Sequence, residues 1–118
     1  MSNQPSRLRV TNAGDVTQVS FIDRNILDEA NIQAIGEEIS RLVDAKDQPK
    51  LLIDFQNVDH LSSAALGTLL TIRSRVSGRG GKLRLSNIDP QIYEVFVITR
   101  LNKLFDIHET TDQALASF

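Results

Sequence analysis

The chain has 118 residues, the length of one domain, with 41% hydrophobic and 24% charged residues, as in ordinary water-soluble globular proteins. It contains no cysteine, which excludes a disulfide scaffold, a thiolate zinc site and a thiol nucleophile, and it is long enough to bury a core without such staples. A net charge of -2 argues against a nucleic-acid binder that relies on global positive charge. No apolar run approaches the roughly 18 residues that a membrane-spanning helix needs.

The first six residues, Met1-Ser2-Asn3-Gln4-Pro5-Ser6, are polar and lack the apolar stretch of a secretory leader. They read as a frayed tail ahead of a domain over residues 7–118, and the chain is expected to stay in the cytoplasm. Short β-prone runs at 8–10 and 16–22 flank Asn12-Ala13-Gly14-Asp15, whose residue types suit a tight turn, so the chain is expected to open with a hairpin. From 28 to about 45 the period changes. Ile32, Ile35, Ile39, Leu42 and Val43 recur at spacings of three and four, the pattern of one buried helical stripe, with Asp28 placed to cap it and Gln48-Pro49 to end it. Residues 50–55 form a mostly apolar run, as in a central strand covered by helices.

Ser62 or Ser63 opens a second helix to about residue 76, with Ala65, Leu69, Ile72 and Val76 inward and Leu66 and Leu70 beside them. Gly78, Gly80 and Gly81 end it and lead into a strand at 82–85. Pro90 begins a shorter helix to residue 98, a last strand is expected at 104–108, and Thr110 with Gln113 makes a capping-box pair before a small helix at 112–117. The order β-β-α-β-α-β-α-β-α implies a single α/β domain whose mixed, mostly parallel sheet starts with an antiparallel hairpin and carries about four helices.

Several chemistries are missing. Ser62 and Ser63 sit near His60, but Leu61-Ser62-Ser63-Ala64-Ala65 lacks the G-x-S-x-G elbow of a serine hydrolase. Ser77-Gly78-Arg79-Gly80-Gly81-Lys82 is not a phosphate loop, because it lies between a helix and a strand in the wrong order and Lys82 is followed by Leu83. The two histidines, His60 and His108, are far apart and form no helical ligand pair, so no metal site is expected. Arg73, Arg75, Arg79, Lys82 and Arg84 make a basic stretch without interleaved aromatics, which reads as a solvated or partner-facing surface rather than a nucleic-acid site.

The informative segment is Val58-Asp59-His60-Leu61-Ser62-Ser63-Ala64-Ala65-Leu66-Gly67, which follows a buried strand and opens a helix. Here a serine hydroxyl meets the free backbone N–H groups of a helix start, where capping is usually worth about 1 kcal/mol. Together with the strand ending in Asp54-Phe55, and with Leu27-Asp28 before the first helix, this segment resembles the signature of STAS domains of the anti-sigma factor antagonist type. The element order matches that family from about residue 7 to 117. With Leu66-Gly67 as anchor, Ser63 falls on the family's phosphoacceptor serine, Ser62 on its aspartate, Ala64 on its second hydroxyl position and Ala65 on its first glycine. Ser62 in place of the aspartate, and Ala65 in place of the glycine, are departures that leave Ser62 as the alternative acceptor.

The resemblance implies a binding regulator and not an enzyme. Its partner would be an anti-sigma factor that is itself a serine kinase; phosphorylation would expel the antagonist, and a PP2C-type phosphatase would reverse the switch. It also implies an expected binding surface comprising Asp23, Asn25, Asp28, Ser62, Ser63, Ala64, Leu66 and Gly67. Neither cofactor, nucleic acid nor membrane is called for, and a monomer is expected. Other members of the family are scaffold or transport-accessory modules without a covalent switch, and that is the alternative reading.

Overall fold

A computed structural model describes residues 8–118, so the expected tail at 1–6 lies outside the described residues. Strands β1 (Leu8–Ala13) and β2 (Val16–Phe21) form the expected antiparallel hairpin, with Ala13 opposite Val16. The two-residue turn is possible because Gly14 takes a φ of 65°, a conformation that glycine adopts at little cost. Lys50 reaches back to this turn, its Nζ 2.8 Å from Asp15 Oδ2, and this hydrogen-bonded cation holds the Asp15 carboxyl below the ordinary aspartate value.

The chain then places a two-residue strand β3 (Asn25–Ile26), helix α1 (Glu29–Asp44), strand β4 (Lys50–Asp54), a second two-residue strand β5 (His60–Leu61) and helix α2 (Ser63–Gly78). Strand β6 (Lys82–Ser86), helix α3 (Pro90–Ile98), a 3₁₀ turn (Leu101–Lys103), strand β7 (Asp106–His108) and helix α4 (Thr111–Ala116) complete it. The main sheet has the order β1-β2-β4-β6-β7, antiparallel between β1 and β2 and parallel elsewhere. Strand β4 lies in the middle, which explains why Leu51, Leu52 and Ile53 are apolar without alternation.

One face of the sheet buries the α1 stripe Ile32, Ile35, Ile39 and Val43, the α2 residues Ala65, Leu66, Leu69, Ile72 and Val76, and Ile92 and Phe96 of α3. The other face is thinner: Val16, Leu52 and Ala114, with Leu115 and Phe118, pack α4 against the sheet. At the closing end, Asp54 is only 7% exposed; its Oδ1 accepts from the Gln56 N–H (3.0 Å) and from Asn87 Nδ2 (2.9 Å). Asn87 also donates to Thr111 Oγ1 (2.9 Å), so one amide joins β4, the end of β6 and α4. A buried carboxylate without such donors would cost several kcal/mol.

Three details differ from the sequence reading. The β3–β5 pair is a separate two-stranded parallel sheet that no periodicity announced. The last strand begins at Asp106 and not at 104, because Arg100 turns the chain at a φ of 63° and residues 101–103 wind into the 3₁₀ turn, leaving Leu104 47% exposed. Strand β1 runs on to Ala13, since the hairpin needs only two loop residues.

Two glycines separate tight packing from open surface. A Cβ at Gly81 would strike the Pro49 carbonyl oxygen and ring, where Lys82 N–H donates to that same carbonyl (2.8 Å); a Cβ at Gly67 would meet nothing within 4 Å. Gly81→Ala is therefore expected to destabilise the domain by about 1–3 kcal/mol through overpacking. Gly67→Ala, inside an exposed helical turn, should stabilise it by about 0.5–1 kcal/mol. Urea unfolding of both variants checks the pair, and equal effects would contradict the packing described.

Candidate functional site

The two short strands build the site. The β3–β5 ladder pairs Asn25 with His60 and Ile26 with Leu61. Arg24 carbonyl accepts from the Asp59 N–H (2.7 Å) and the His60 N–H (3.3 Å), and Ile26 carbonyl accepts from the Ser62 N–H (3.1 Å). His60 Nδ1–H donates to Asn25 Oδ1 at 2.8 Å. The loop that enters α1 is thereby held against the loop that enters α2, with buried Ile26 beneath. The Arg24–Asp59 ion pair at 3.4 Å has side chains 75% and 49% exposed, so it adds at most about 1 kcal/mol and the backbone bonds hold the junction.

Both helices start with side-chain caps. Asp28 Oδ2 accepts from the Asn31 N–H (3.3 Å), as its sequence position suggested. On α2 the cap is Ser62, in extended conformation, whose Oγ accepts from the Ala65 N–H at 3.3 Å. Ser63 is the next residue and the first of the helix; its side chain is exposed and makes no hydrogen bond. This resolves which serine is the structural one, a point the sequence left open. The first turn of α2 carries no acidic residue, so the positive end of the helix dipole is met by a neutral hydroxyl.

Of the expected surface residues, Asn25, Asp28, Ser63, Ala64 and Gly67 are exposed, and Asp23 and Ser62 are half-buried. The β3–β5 ladder brings Asn25 and Ser62 to the same junction. Leu66 departs from a surface role: it is only 9% exposed, part of the main core. It reaches solvent as the floor of a cleft of about 160 Å³, shared with Asp59, His60, Leu61, Gln91, Ile92 and Val95. Sequence reasoning missed this cleft, and with it His60, Gln91 and Val95. The available signal was Val95, an apolar residue on α3 outside the buried Ile92 and Phe96 pair, 41% exposed.

Three of the five cations of the basic stretch pair with carboxylates within the fold. Arg75 Nη1 lies 2.9 Å from Asp44 Oδ2, Arg79 Nη2 lies 4.0 Å from Asp47 Oδ1, and Arg84 Nε lies 3.1 Å from Asp106 Oδ2. No group of three or more histidine, aspartate or glutamate side chains among the described residues could hold a metal ion, and none of the described helices is long and apolar enough to cross a membrane.

Capping separates the two serines in energy. Ser62→Ala should cost about 0.5–2 kcal/mol, while Ser63→Ala should change stability by less than about 0.5 kcal/mol. Thermal unfolding of the two variants checks this; a larger loss at residue 63 would place the cap there instead.

Comparison with known proteins agrees with this architecture. The STAS domain model matches residues 22–114. A candidate anti-sigma factor antagonist of Bordetella bronchiseptica, BtrV, is 26% identical over 95 residues, covering 80% of this chain and 81% of that protein. The structure of an anti-sigma-factor antagonist (STAS) domain protein from Planctomyces limnophilus superposes with a TM-score of 0.85 at 24% identity, over 93% of this chain and 96% of that one. The Bacillus cell fate determinant SpoIIAA in its phosphorylated form superposes with a TM-score of 0.69 at 17% identity, over 93% and 97% of the two chains. Its unphosphorylated form gives 0.68 at 15% identity, over 93% and 94%. With its matched segment, sheet order and hairpin, the chain belongs to the STAS domain family.

Proposed function

We propose that this STAS domain is an anti-sigma factor antagonist that binds an anti-sigma factor with serine-kinase activity and is switched off by phosphorylation of Ser63. The observation that carries the reading is the division of labour at the start of α2: the Ser62 hydroxyl is engaged as the cap, and the neighbouring Ser63 hydroxyl is exposed and unengaged. The kinase would transfer the γ-phosphoryl group of ATP to Ser63 Oγ, with ADP leaving and a kinase base accepting the hydroxyl proton. A PP2C-type phosphatase would hydrolyse the ester. Ser62 is the alternative acceptor, and modifying it would remove the cap.

The physics suits a local switch. A phosphoryl group brings about -1.5 to -2 charges at neutral pH. At the start of α2 that charge meets free N–H groups and a dipole with no carboxylate to oppose it, so the domain tolerates it. The near-equal likeness of this fold to both forms of SpoIIAA supports an anion accommodated without refolding. The cost then falls on the complex, where each 1.4 kcal/mol of repulsion or desolvation weakens binding about tenfold. Asp23, Asn25, Asp28, Ser62, Ala64 and Gly67 would surround the acceptor in the contact, with Leu66 reached through the cleft. In this reading the protein is a cytoplasmic, monomeric binding regulator without catalysis or cofactor.

The decisive experiment is phosphopeptide mapping of the native protein, resting and stressed, joined to binding of Ser63→Asp to the partner kinase. Phosphate on Ser63 that changes with condition, and a Ser63→Asp variant that folds normally yet loses binding by more than tenfold, would establish the switch. Phosphate on Ser62 would shift the acceptor by one residue. A fully covered peptide without phosphate in any condition, with Ser63→Asp binding like wild type, would replace this reading with an unswitched STAS scaffold or transport-accessory module.

A further inference from the structure

Strands β4 and β6 end side by side at Asp54 and Ser86, where the chain leaves the sheet toward α2 and α3. Asn87 stands at this junction with a φ of 56°, a left-handed conformation that glycine would adopt at less cost. What the asparagine adds is its amide. Nδ2 donates one hydrogen to Asp54 Oδ1 and the other to Thr111 Oγ1, each at 2.9 Å. Ser86 is fully buried, and its Oγ lies 3.4 Å from the same threonine hydroxyl. A strained backbone of this kind persists only where its surroundings hold it, and switch regions are one place where it gathers.

The two arms of the amide lead to different places. Through Asp54 it reaches the candidate site, because the same Oδ1 accepts the Gln56 N–H at 3.0 Å and turns the chain as it leaves β4. Phe55 N–H donates to the Ser86 carbonyl (2.9 Å) and Val58 N–H to the Phe55 carbonyl (2.9 Å). The short loop is thus held along its length until Asp59 and Ser62 bond to the strand opposite. Through Thr111 the amide reaches α4, whose buried core contacts are few: Val16 and Leu52 beneath Ala114. The other end of α4 is held by Arg84, whose Nε donates to Ser117 Oγ at 3.0 Å and whose guanidinium lies 5.1 Å from the Phe118 ring centroid. Polar ties at both ends therefore seat α4 as much as its core does, the mark of an element that opens before the main sheet.

We propose that α4 is a control element for the turn that carries Ser62 and Ser63, coupled to it through Asn87 and Asp54. Calling that turn a switch rests on the Ser63 reading; the coupling is a property of the fold. With α4 seated, Thr111 and Asp54 together hold the amide, and the carboxylate stays where it orients the loop. With α4 lifted, the amide loses one acceptor and the left-handed Asn87 loses part of its support, so the loop ahead of Ser62 loosens. Contacts that favour seated α4 would stiffen the turn, and contacts that lift α4 would soften it. By linkage, a partner that binds the stiffened turn more tightly would favour seated α4 by the same factor.

Native-state amide exchange followed by NMR tests this on the whole chain, without a kinase. Two variants cut the junction differently. Thr111→Val keeps the side-chain shape and removes the α4 arm; Asn87→Gly removes both arms and suits the φ of 56°. Exchange of the Asp59 and Ser62 amides should be about tenfold faster in Asn87→Gly and about threefold faster in Thr111→Val. Amides of the β1–β2 hairpin should change by less than about twofold in both. Equal acceleration at hairpin and turn would mean that the junction serves stability alone, and it would overturn the proposal. An unaltered turn in Thr111→Val would overturn it too, and this conservative variant carries the test alone if Asn87→Gly does not fold. Failure here leaves phosphopeptide mapping of Ser63 untouched, and an unphosphorylated Ser63 leaves the coupling measurable.

Discussion

The parallel pairing of Asn25–Ile26 with His60–Leu61 is the constraint on which the geometry of the candidate site depends. Helices α1 and α2 leave the sheet from separate loops, and without a tie their starts would be free to move apart. The ladder, extended by Ser62 N–H to Ile26 carbonyl (3.1 Å), fixes the cap residue of α2 by backbone bonds, with buried Ile26 beneath. The exposed Arg24–Asp59 pair is too weak to do the same. A partner binding here would therefore meet a preformed surface, and little binding energy would be lost to ordering it. An acceptor at the first turn of a helix held this way would be recognised as part of a folded domain and not as an extended peptide.

The identity of the cap residue then sets the electrostatics. Where the family resemblance places an aspartate, this chain has Ser62, and the hydroxyl still satisfies the Ala65 N–H. A carboxylate at that position would cap as well, and it would also offset the helix dipole by about 0.3–1 kcal/mol. It would further stand beside any phosphoserine at residue 63 and repel it. The neutral cap keeps the geometry and removes that repulsion, so a phosphate on Ser63 would be less costly to the domain here than next to an aspartate. The departure from the family pattern thus bears on the energy of the modified state more than on the shape of the site.

The elements of the main sheet and the four helices were legible because each supplies enough residues for a period to show: the α1 stripe spans three full turns, and β4 is a continuous apolar run. The two-residue strands β3 and β5 were not legible, since two residues carry no alternation, and their pairing depends on loops 35 positions apart coming together. The start of β7 was misread for a different reason. Leu104 and Phe105 look like the head of a strand, yet Arg100 adopts a left-handed conformation that a non-glycine residue does not advertise, and the chain spends residues 101–103 on a 3₁₀ turn. Adjacent serines at 62 and 63 are equally good caps by type, so only geometry could assign the role. Leu66 illustrates the opposite limit, a residue placed on the surface by motif position and drawn into the core by its helical phase.

Helix α2 connects these observations. Its 16 residues span about 24 Å at 1.5 Å per residue, with Ser63 at one end and the Arg73–Leu104 contact near the other. Added charge at the first turn is screened within about 8–10 Å at physiological salt, well short of the other end of the helix. The core contacts of Leu69, Ile72 and Val76 keep the helix from moving as a lever, since all three are almost fully buried against the sheet. A phosphate on Ser63 would consequently act on whatever touches the start of α2 and leave the far end of the helix unaffected.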